Sequence, residues 1–134
     1  MSRKRIEGSC VCGEVCFDVE DDFMAFKLCH CDYCQKASGT AFVANAFTVP
    51  GRMRWLTGHD RVASYDVPGS LVRRVFCRQC GTSLPFVSQN DQFLVVPVGV
   101  LSNQPSIQPG EIKAWHERLP WYDAVRALED ESVD

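Results

Sequence analysis

The sequence predicts a mainly β, all-β type of fold, and three observations support this class. Short segments of alternating or β-branched apolar residues recur along the chain, and turn-forming residues separate them. Segments with the periodicity of an amphipathic helix are scarce. The chain has 134 residues, which is enough for one hydrophobic core and too few for two. We therefore expect residues 1–134 to form a single domain.

Six segments are expected to form strands. In the first, residues 14–20, the side chains of Val15, Phe17 and Val19 share one face because side chains alternate along a strand. The others are residues 40–47, 54–56, 62–66, 71–76 and 93–98. Pro97 lies inside the last segment and predicts an edge strand or a strand end, since proline lacks the N–H that a strand ladder needs.

Helix is expected in two short places. Residues 32–37 are compatible with a short helical turn, and residues 123–128 with a weak helix. The chain ends in the acidic segment 129–134, which is expected to fray.

Composition and charge exclude several classes of protein. No apolar stretch approaches the roughly 18 residues that a membrane-spanning helix needs. The basic residues near the N-terminus are not followed by the apolar segment of a secretory signal, so we expect a cytoplasmic protein without a membrane partner. The formal net charge of −3 argues against nucleic acid as the main partner, because duplex binding relies on a basic surface. Local basic clusters, interpreted as solvated sheet faces with anion binding as the alternative, contain Arg52, Arg54, Arg73, Arg74 and Arg78.

The eight cysteines are the most informative residues. In a reducing compartment, clustered thiols indicate metal ligands or redox groups rather than disulfides. Seven of the eight fall into three short groups, and the eighth, Cys16, stands apart.

Two of these groups are pairs followed by glycine, a C-x-C motif before Gly13 and a C-x-x-C motif before Gly81. Neither pair completes a tetrahedral site alone, but together they supply four sulfurs. A glycine after each pair fits a tight turn that points backbone N–H groups at the sulfurs. Zinc with four thiolate ligands is coordinatively saturated, so the sequence predicts a structural zinc site that closes a long loop. Its ligands are Cys10, Cys12, Cys77 and Cys80.

The third group is compact and contains Cys29, Cys31 and Cys34. Residues two apart on an extended segment point the same way, and Cys34 joins the first two if the chain turns after Cys31. Three thiolates leave one coordination position open, which distinguishes catalytic from structural zinc. A metal there can bind water or a substrate thiol and hold the thiol as its nucleophilic thiolate. The sequence therefore predicts a second, catalytic zinc.

Two alternatives to an open zinc site remain. A fourth ligand could close it, although His30 points to the opposite face of an extended segment and Cys16 is interpreted as a compact apolar residue. The group could also be redox-active without a metal. The remaining histidines and tryptophans are expected to be surface or core side chains: His59, His116, Trp55, Trp115 and Trp121.

Segments 8–15, 29–40 and 76–82 contain these motifs and resemble the glutathione-dependent formaldehyde-activating enzyme family, which also includes the vertebrate centromere protein V. Segments 99–101 and 119–121 extend the resemblance. It implies a β-tent fold of two or three small antiparallel sheets around zinc. It also implies a structural metal on the four paired cysteines and a catalytic metal on the other three, with glutathione bound nearby. Many members carry a histidine where this chain has residues 111–113; if that histidine binds substrate, a different substrate is expected here.

The leading hypothesis from this resemblance is a zinc-dependent carbon–sulfur lyase, similar to S-(hydroxymethyl)glutathione synthase, that joins glutathione to a small aldehyde such as formaldehyde. We expect Lys36, Arg52 and Arg54 to contact the carboxylates of glutathione. The alternative is a zinc-stabilised protein-binding module without catalysis, as in the guanine-nucleotide exchange factors that share the tent fold. Such a module does not need the third cysteine group, whose presence favours the enzyme. A methionine sulfoxide reductase on a similar tent would need a late redox cysteine, and no cysteine follows Cys80.

Overall fold

Strands make up most of the regular structure in the computed structural model, which describes residues 4–129, and the predicted all-β class is confirmed. Most of the acidic C-terminus expected to fray, residues 130–134, lies outside the described residues. The ten described strands are β1 (Arg5–Ser9), β2 (Cys16–Glu20), β3 (Ala25–Cys29), β4 (Val43–Thr48), β5 (Met53–Thr57), β6 (Val62–Asp66), β7 (Arg73–Cys77), β8 (Phe86–Val87), β9 (Leu94–Pro97) and β10 (Glu111–Lys113). The two α-helices are α1 (Asp32–Ser38) and α2 (Tyr122–Val125). Neither helix, nor any 3-10 turn between residues 4 and 129, is long and apolar enough to cross a bilayer.

The strands form three sheets. A three-stranded sheet has the order β1-β2-β5, a five-stranded sheet has the order β10-β3-β4-β9-β8, and β6 pairs with β7. All these pairings are antiparallel except one, because β10 runs parallel to β3 at the edge of the large sheet. The expectation of purely antiparallel sheets is therefore wrong at this edge. A parallel neighbour requires a crossover connection, and the long chain between β3 and β10 provides it.

The six predicted strands are present, and their ends differ by up to three residues. Pro97 is the last residue of β9 and pairs with Asn45, so the predicted strand end is confirmed. The predicted strand at residues 40–47 starts only at Val43, because α1 extends to Ser38 and Gly39 caps it in the left-handed conformation. The predicted helix at residues 123–128 is the four-residue α2.

Four strands were not predicted: β1, β3, β8 and β10. They are two to five residues long, and β10 is exposed along its length. β8 and β10 are too short for a readable alternation, and β10 forms by pairing with β3, which is distant in sequence.

The core contains the predicted apolar face of β2. Val15, Phe17 and Val19 are completely buried, as is Ile6 from β1. They belong to one buried cluster with residues from β4, β7 and β9. The three-stranded and five-stranded sheets thus pack on a common core.

On the face of the three-stranded sheet opposite Phe17, a buried carboxylate connects the three strands. Asp18 of β2 is 5% exposed and accepts hydrogen bonds from Arg5 of β1, at 2.8 and 2.9 Å, and from Arg54 of β5, at 2.6 and 3.0 Å. Hydrogen bonds from the Arg54 guanidinium, and then from Arg5, lower the pKa of Asp18 to about 2. This paired charge fixes the register of three strands.

We expect Asp18→Asn to lower the free energy of unfolding by about 2 kcal/mol at pH 7, which corresponds to the depression of its pKa from 3.8. Because the folded-state pKa is the lower one, the stabilisation is complete above the unfolded value and is lost as the pH falls toward 2. Urea unfolding of both proteins should therefore show a constant difference from pH 7 to pH 5 that shrinks below about pH 4. Asp66→Asn, which breaks an exposed ion pair with Arg73, is the control and should have a clearly smaller effect, because solvent screens this pair. Equal effects of the two substitutions would contradict this assignment.

Candidate metal centres and the adjoining cleft

The four paired cysteines converge as predicted. Cys10 and Cys12 lie in the turn between β1 and β2, whereas Cys77 ends β7 and Cys80 follows in the next turn. All four sulfurs lie within 4.8 Å of one another. The Sγ atoms of Cys10 and Cys12 are 3.6 Å apart and those of Cys12 and Cys77 are 3.8 Å apart. Thiolates at about 2.3 Å from a tetrahedral zinc are separated by roughly 3.8 Å, so this cluster has the dimensions that zinc requires.

Backbone turns aim donors at these sulfurs, as the glycines after each pair suggest. Gly13 and Gly81 both have φ of +79°, a conformation that glycine adopts without strain. The N–H of Val15 donates to Cys10 Sγ at 3.3 Å. Thr82 Oγ1 lies 3.2 Å from Cys80 Sγ and accepts from the N–H of Val11, so this hydroxyl joins the two turns.

The third group also converges, and all three of its sulfurs lie within 4.8 Å of one another. Cys29 is the last residue of β3, Cys31 caps the N-terminus of α1, and Cys34 lies in the first turn of that helix. The N–H of Cys34 donates to Cys31 Sγ at 3.3 Å. Gln35 anchors the loop, because its side-chain amide donates to the carbonyl oxygens of His30 and Glu117. We call this group the three-thiol cluster.

The thiols of each cluster cannot all ionise without a cation. In the three-thiol cluster, burial and the neighbouring sulfurs raise the pKa of Cys34. Burial also raises the pKa of Cys31, but hydrogen bonds from the Cys34 N–H and from the neighbouring thiols hold this pKa below its usual value. In the four-thiol cluster, the Thr82 hydroxyl and N–H lower the pKa of Cys80 to about 5. A divalent cation removes the repulsion that keeps the last protons on such clusters, so both donor sets fit a thiophilic metal such as zinc.

His30 is not a fourth ligand of the three-thiol cluster. Its side chain is buried on the other side of the loop, with ring centroids 5.1 Å from Phe42, 5.1 Å from Trp115 and 4.9 Å from Tyr122. Burial lowers the pKa of His30, with a smaller effect from the Arg118 charge. Its Nδ1 atom has no hydrogen-bond partner among residues 4–129. The ring is therefore a neutral aromatic side chain that packs in an aromatic cluster on the side of the loop away from the three thiols.

The two clusters differ in their access to a cleft. A cleft of about 590 Å³ lies between the five-stranded sheet and the β6–β7 hairpin, and all three cysteines of the three-thiol cluster line it. None of the four paired cysteines does. The three-thiol cluster therefore faces a space that can hold a small molecule, whereas the four-thiol cluster joins two turns.

Among residues 4–129, those that line the cleft include cations and no carboxylate. The four cationic residues that line it are Lys27, Lys113, Arg73 and Arg74. Lys27 and Lys113 both approach Glu111, at 3.7 and 3.5 Å, and Arg73 pairs with Asp66. No carboxylate within the described residues pairs with Arg74, whose guanidinium donates to the Ala37 carbonyl oxygen at 3.3 Å.

The cationic residues that line the cleft are not the three that the sequence suggested as contacts for glutathione. The structure does not bring Lys36, Arg52 or Arg54 to the cleft. Lys36 is exposed on α1, Arg54 binds Asp18, and Arg52 pairs with Asp22 and, at 3.6 Å, with Glu20. For Arg54 the reason is the strand order, because β5 belongs to the three-stranded sheet and not to the sheet that lines the cleft.

Of the two lysines that line the cleft, one was predictable from the sequence and the other was not. Lys27 could have been found, because it precedes Cys29 by two residues and so shares its face of β3. Lys113 reaches Cys29 only through the parallel register of β10 with β3, which gives no local signal.

The other candidate side chains lie outside both clusters. Cys16 is half-buried and its thiol contacts the Gly13 carbonyl oxygen. His59 stacks on Trp55, which packs against the core, and His116 is exposed. All eight cysteines are free of disulfides.

Comparisons with known proteins agree with the motifs. The sequence profile of the family described as glutathione-dependent formaldehyde-activating enzyme matches residues 5–118. The chain is 27% identical over 84 residues to an uncharacterised lyase of Schizosaccharomyces pombe, in a match that covers 63% of this chain and 58% of that protein. A crystal structure of a Rhodobacter sphaeroides protein, a structural genomics target, is similar with a TM-score of 0.62 and 21% identity over 80% of this chain and 99% of that one. This likeness concerns the fold alone, and the chain spans little more than half of the yeast relative.

The two clusters should respond differently to loss of one thiol. We expect Cys31→Ser to leave the fold intact and remove one metal ion per chain, because this cluster lies at the wall of a cleft. Cys80→Ser should unfold the domain, since the four-thiol cluster joins sheets that are far apart in sequence. Metal analysis beside circular dichroism of each purified variant measures both effects. Unfolding of both variants would contradict the prediction that only the four-thiol cluster is needed for folding.

Proposed function

Because the chain belongs to the glutathione-dependent formaldehyde-activating enzyme family, we propose that it is a zinc-dependent carbon–sulfur lyase acting on glutathione and formaldehyde or another aldehyde. Its family and a lyase-named relative support an enzyme of the lyase type. The observation that carries the proposal is that the three-thiol cluster, and not the four-thiol cluster, faces the cleft. A cytoplasmic location belongs to the same proposal, because clustered thiols remain available as ligands in a reducing compartment.

The charge of the cleft suits a thiol that carries carboxylates. Glutathione has two carboxylates and one ammonium group, and the described residues on the cleft walls include cations and no acid. Arg74 is the best candidate to bind a carboxylate, since no carboxylate of the described residues already pairs with it. A guanidinium can bind such a group through two parallel hydrogen bonds. Binding at this wall places the cysteine sulfur of glutathione toward the three-thiol cluster.

The reaction joins a thiolate sulfur to a carbonyl carbon. The new C–S bond forms from the sulfur electron pair, the C=O π pair moves to oxygen, and that oxygen takes a proton; lyase cleavage is the reverse. Zinc held by Cys29, Cys31 and Cys34 would supply a Lewis acid with one free coordination position beside the cleft.

Tyr33 is the proton donor that we assign. Its side chain lines the cleft in the loop of the three-thiol cluster, and burial raises its pKa, so the phenol is protonated at neutral pH. The Arg74 charge lies near enough to Tyr33 to offset part of this rise. A protonated phenol at this position can donate to the oxygen on which negative charge develops.

The rival class is a zinc-stabilised protein-binding module. It accounts for the four-thiol cluster equally well, but it gives no role to three further thiols on the wall of a cationic cleft. Thiols and formaldehyde also combine spontaneously, so the two classes differ in whether the protein accelerates exchange between free and conjugated glutathione.

We expect the zinc-loaded protein to accelerate the exchange of formaldehyde with glutathione, measured by NMR exchange spectroscopy against the protein-free rate. Cys31→Ser should abolish the acceleration. Tyr33→Phe should lower kcat by about tenfold or more with little change in KM, because it removes a donor used in the transition state. No acceleration by the folded, zinc-loaded protein would leave the binding module as the better assignment.

Arg74→Gln should raise KM for glutathione by roughly tenfold and change kcat little, since a charge-assisted hydrogen bond contributes about 1.5–3 kcal/mol. Arg78→Gln is the matched control, because Arg78 is exposed, lies in the turn after β7 and does not line the cleft. Initial rates at varied glutathione concentration give both constants. Equal KM values for the two variants would exclude Arg74 as the carboxylate contact.

A further inference from the structure

The cleft continues well beyond the three-thiol cluster along the five-stranded sheet. Cys29 at the end of β3 pairs with Val43, and four residues further along β4 Phe47 pairs with Val95 of β9. Val95 in turn pairs with Phe86 of β8. At about 3.3 Å per residue, the row that contains Phe47 lies roughly 13 Å from the row of Cys29. The lining residues at this end are mainly aromatic and aliphatic; Ser88 lies beside them, and the Lys27 ammonium lies 5.0 Å from the centroid of the Phe47 ring.

The rim of this distal end is also apolar, and it is exposed. Leu71 and Phe93 both line the cleft and are 52% and 41% exposed. Large apolar side chains at the mouth of a cleft that continues into an apolar lining form a contiguous apolar surface, which typically marks a ligand-binding groove. We call this surface, formed by Phe47, Leu71, Phe86, Phe93 and Val95, the distal apolar surface.

Formaldehyde and glutathione leave this surface without a partner. Formaldehyde has two non-hydrogen atoms and takes roughly the space of one or two water molecules. The carboxylates of glutathione match the cations of the cleft and are costly to bury against aromatic side chains. The cleft of about 590 Å³ exceeds the roughly 300 Å³ that a close-packed tripeptide of this size occupies.

Resting on the function proposed above, we propose that the aldehyde substrate has an apolar substituent, a medium-length alkyl chain or an aromatic ring, that binds the distal apolar surface. The reacting carbon lies at the three-thiol cluster. An extended alkyl chain advances roughly 1.3 Å per carbon, so about six to ten carbons cover roughly 8 to 13 Å of the distance toward the row of Phe47. The reaction step is the same as for formaldehyde: the sulfur–carbon bond forms, the C=O π pair moves to oxygen, and that oxygen takes the proton. The product is the S-(1-hydroxyalkyl) conjugate of glutathione.

Stable thioethers test this inference without turnover. Calorimetric titration of the zinc-loaded protein with S-methylglutathione and with S-hexylglutathione should show at least about 200-fold tighter binding of the hexyl compound, since each of the five additional methylenes contributes about a three- to fourfold gain when buried. A gain below about threefold across five methylenes would overturn the inference and leave the proposed function standing. Failure of both compounds to bind would overturn the inference and the proposed function together.

Exposed positions on the rim allow a test by substitution that does not open the core. Leu71→Ser and Phe93→Ser should each lower the affinity for S-hexylglutathione by about fivefold to tenfold and leave the affinity for S-methylglutathione unchanged. Leu56→Ser is the matched control, because Leu56 is 44% exposed on β5 and does not line the cleft. Equal losses for the two compounds, or an equal loss in Leu56→Ser, would place the alkyl chain elsewhere and overturn the inference.

Discussion

The convergence of two thiol pairs from turns far apart in sequence is the constraint on which the rest of the structure depends. The turn between β1 and β2 belongs to the three-stranded sheet, and the turn after β7 belongs to the two-stranded sheet. Four sulfurs and the Thr82 hydroxyl hold these turns together. The β6–β7 hairpin forms the wall of the cleft that contains Arg74. Contacts at a thiol cluster outside the cleft therefore determine where the cleft wall lies.

The two thiol clusters illustrate how coordination number and access separate stability from chemistry. Four sulfurs satisfy a tetrahedral metal and leave nothing for a ligand. Three sulfurs at the end of β3 and the start of α1 face a cleft with cationic residues at its walls. The same residue type thus occurs in two settings, which differ in whether the backbone provides a fourth thiol or a cavity.

Local pattern made part of this structure predictable. The cysteine motifs predicted both clusters, because a local turn brings together the members of each pair or triplet. The alternation around Phe17 predicted a buried face. The contacts that depend on register between distant strands were not predictable. Arg52 and Arg54 look suited to bind an anion in sequence, yet β5 pairs with β2 and places Arg54 on the buried Asp18. Arg74 and Lys113 come to the cleft through pairings that no local signal encodes.

The aromatic cluster behind the three-thiol loop gives this protein an internal optical reporter. His30 lies between two ligand positions in sequence and its ring contacts Trp115, an indole on the late segment that packs against the loop. A change in the geometry of the loop must shift the surroundings of that indole, whereas Trp55 is stacked on His59 in the other sheet and Trp121 is half exposed. Tryptophan emission therefore offers a direct way to follow, in real time, whether a metal ion binds at the three-thiol cluster.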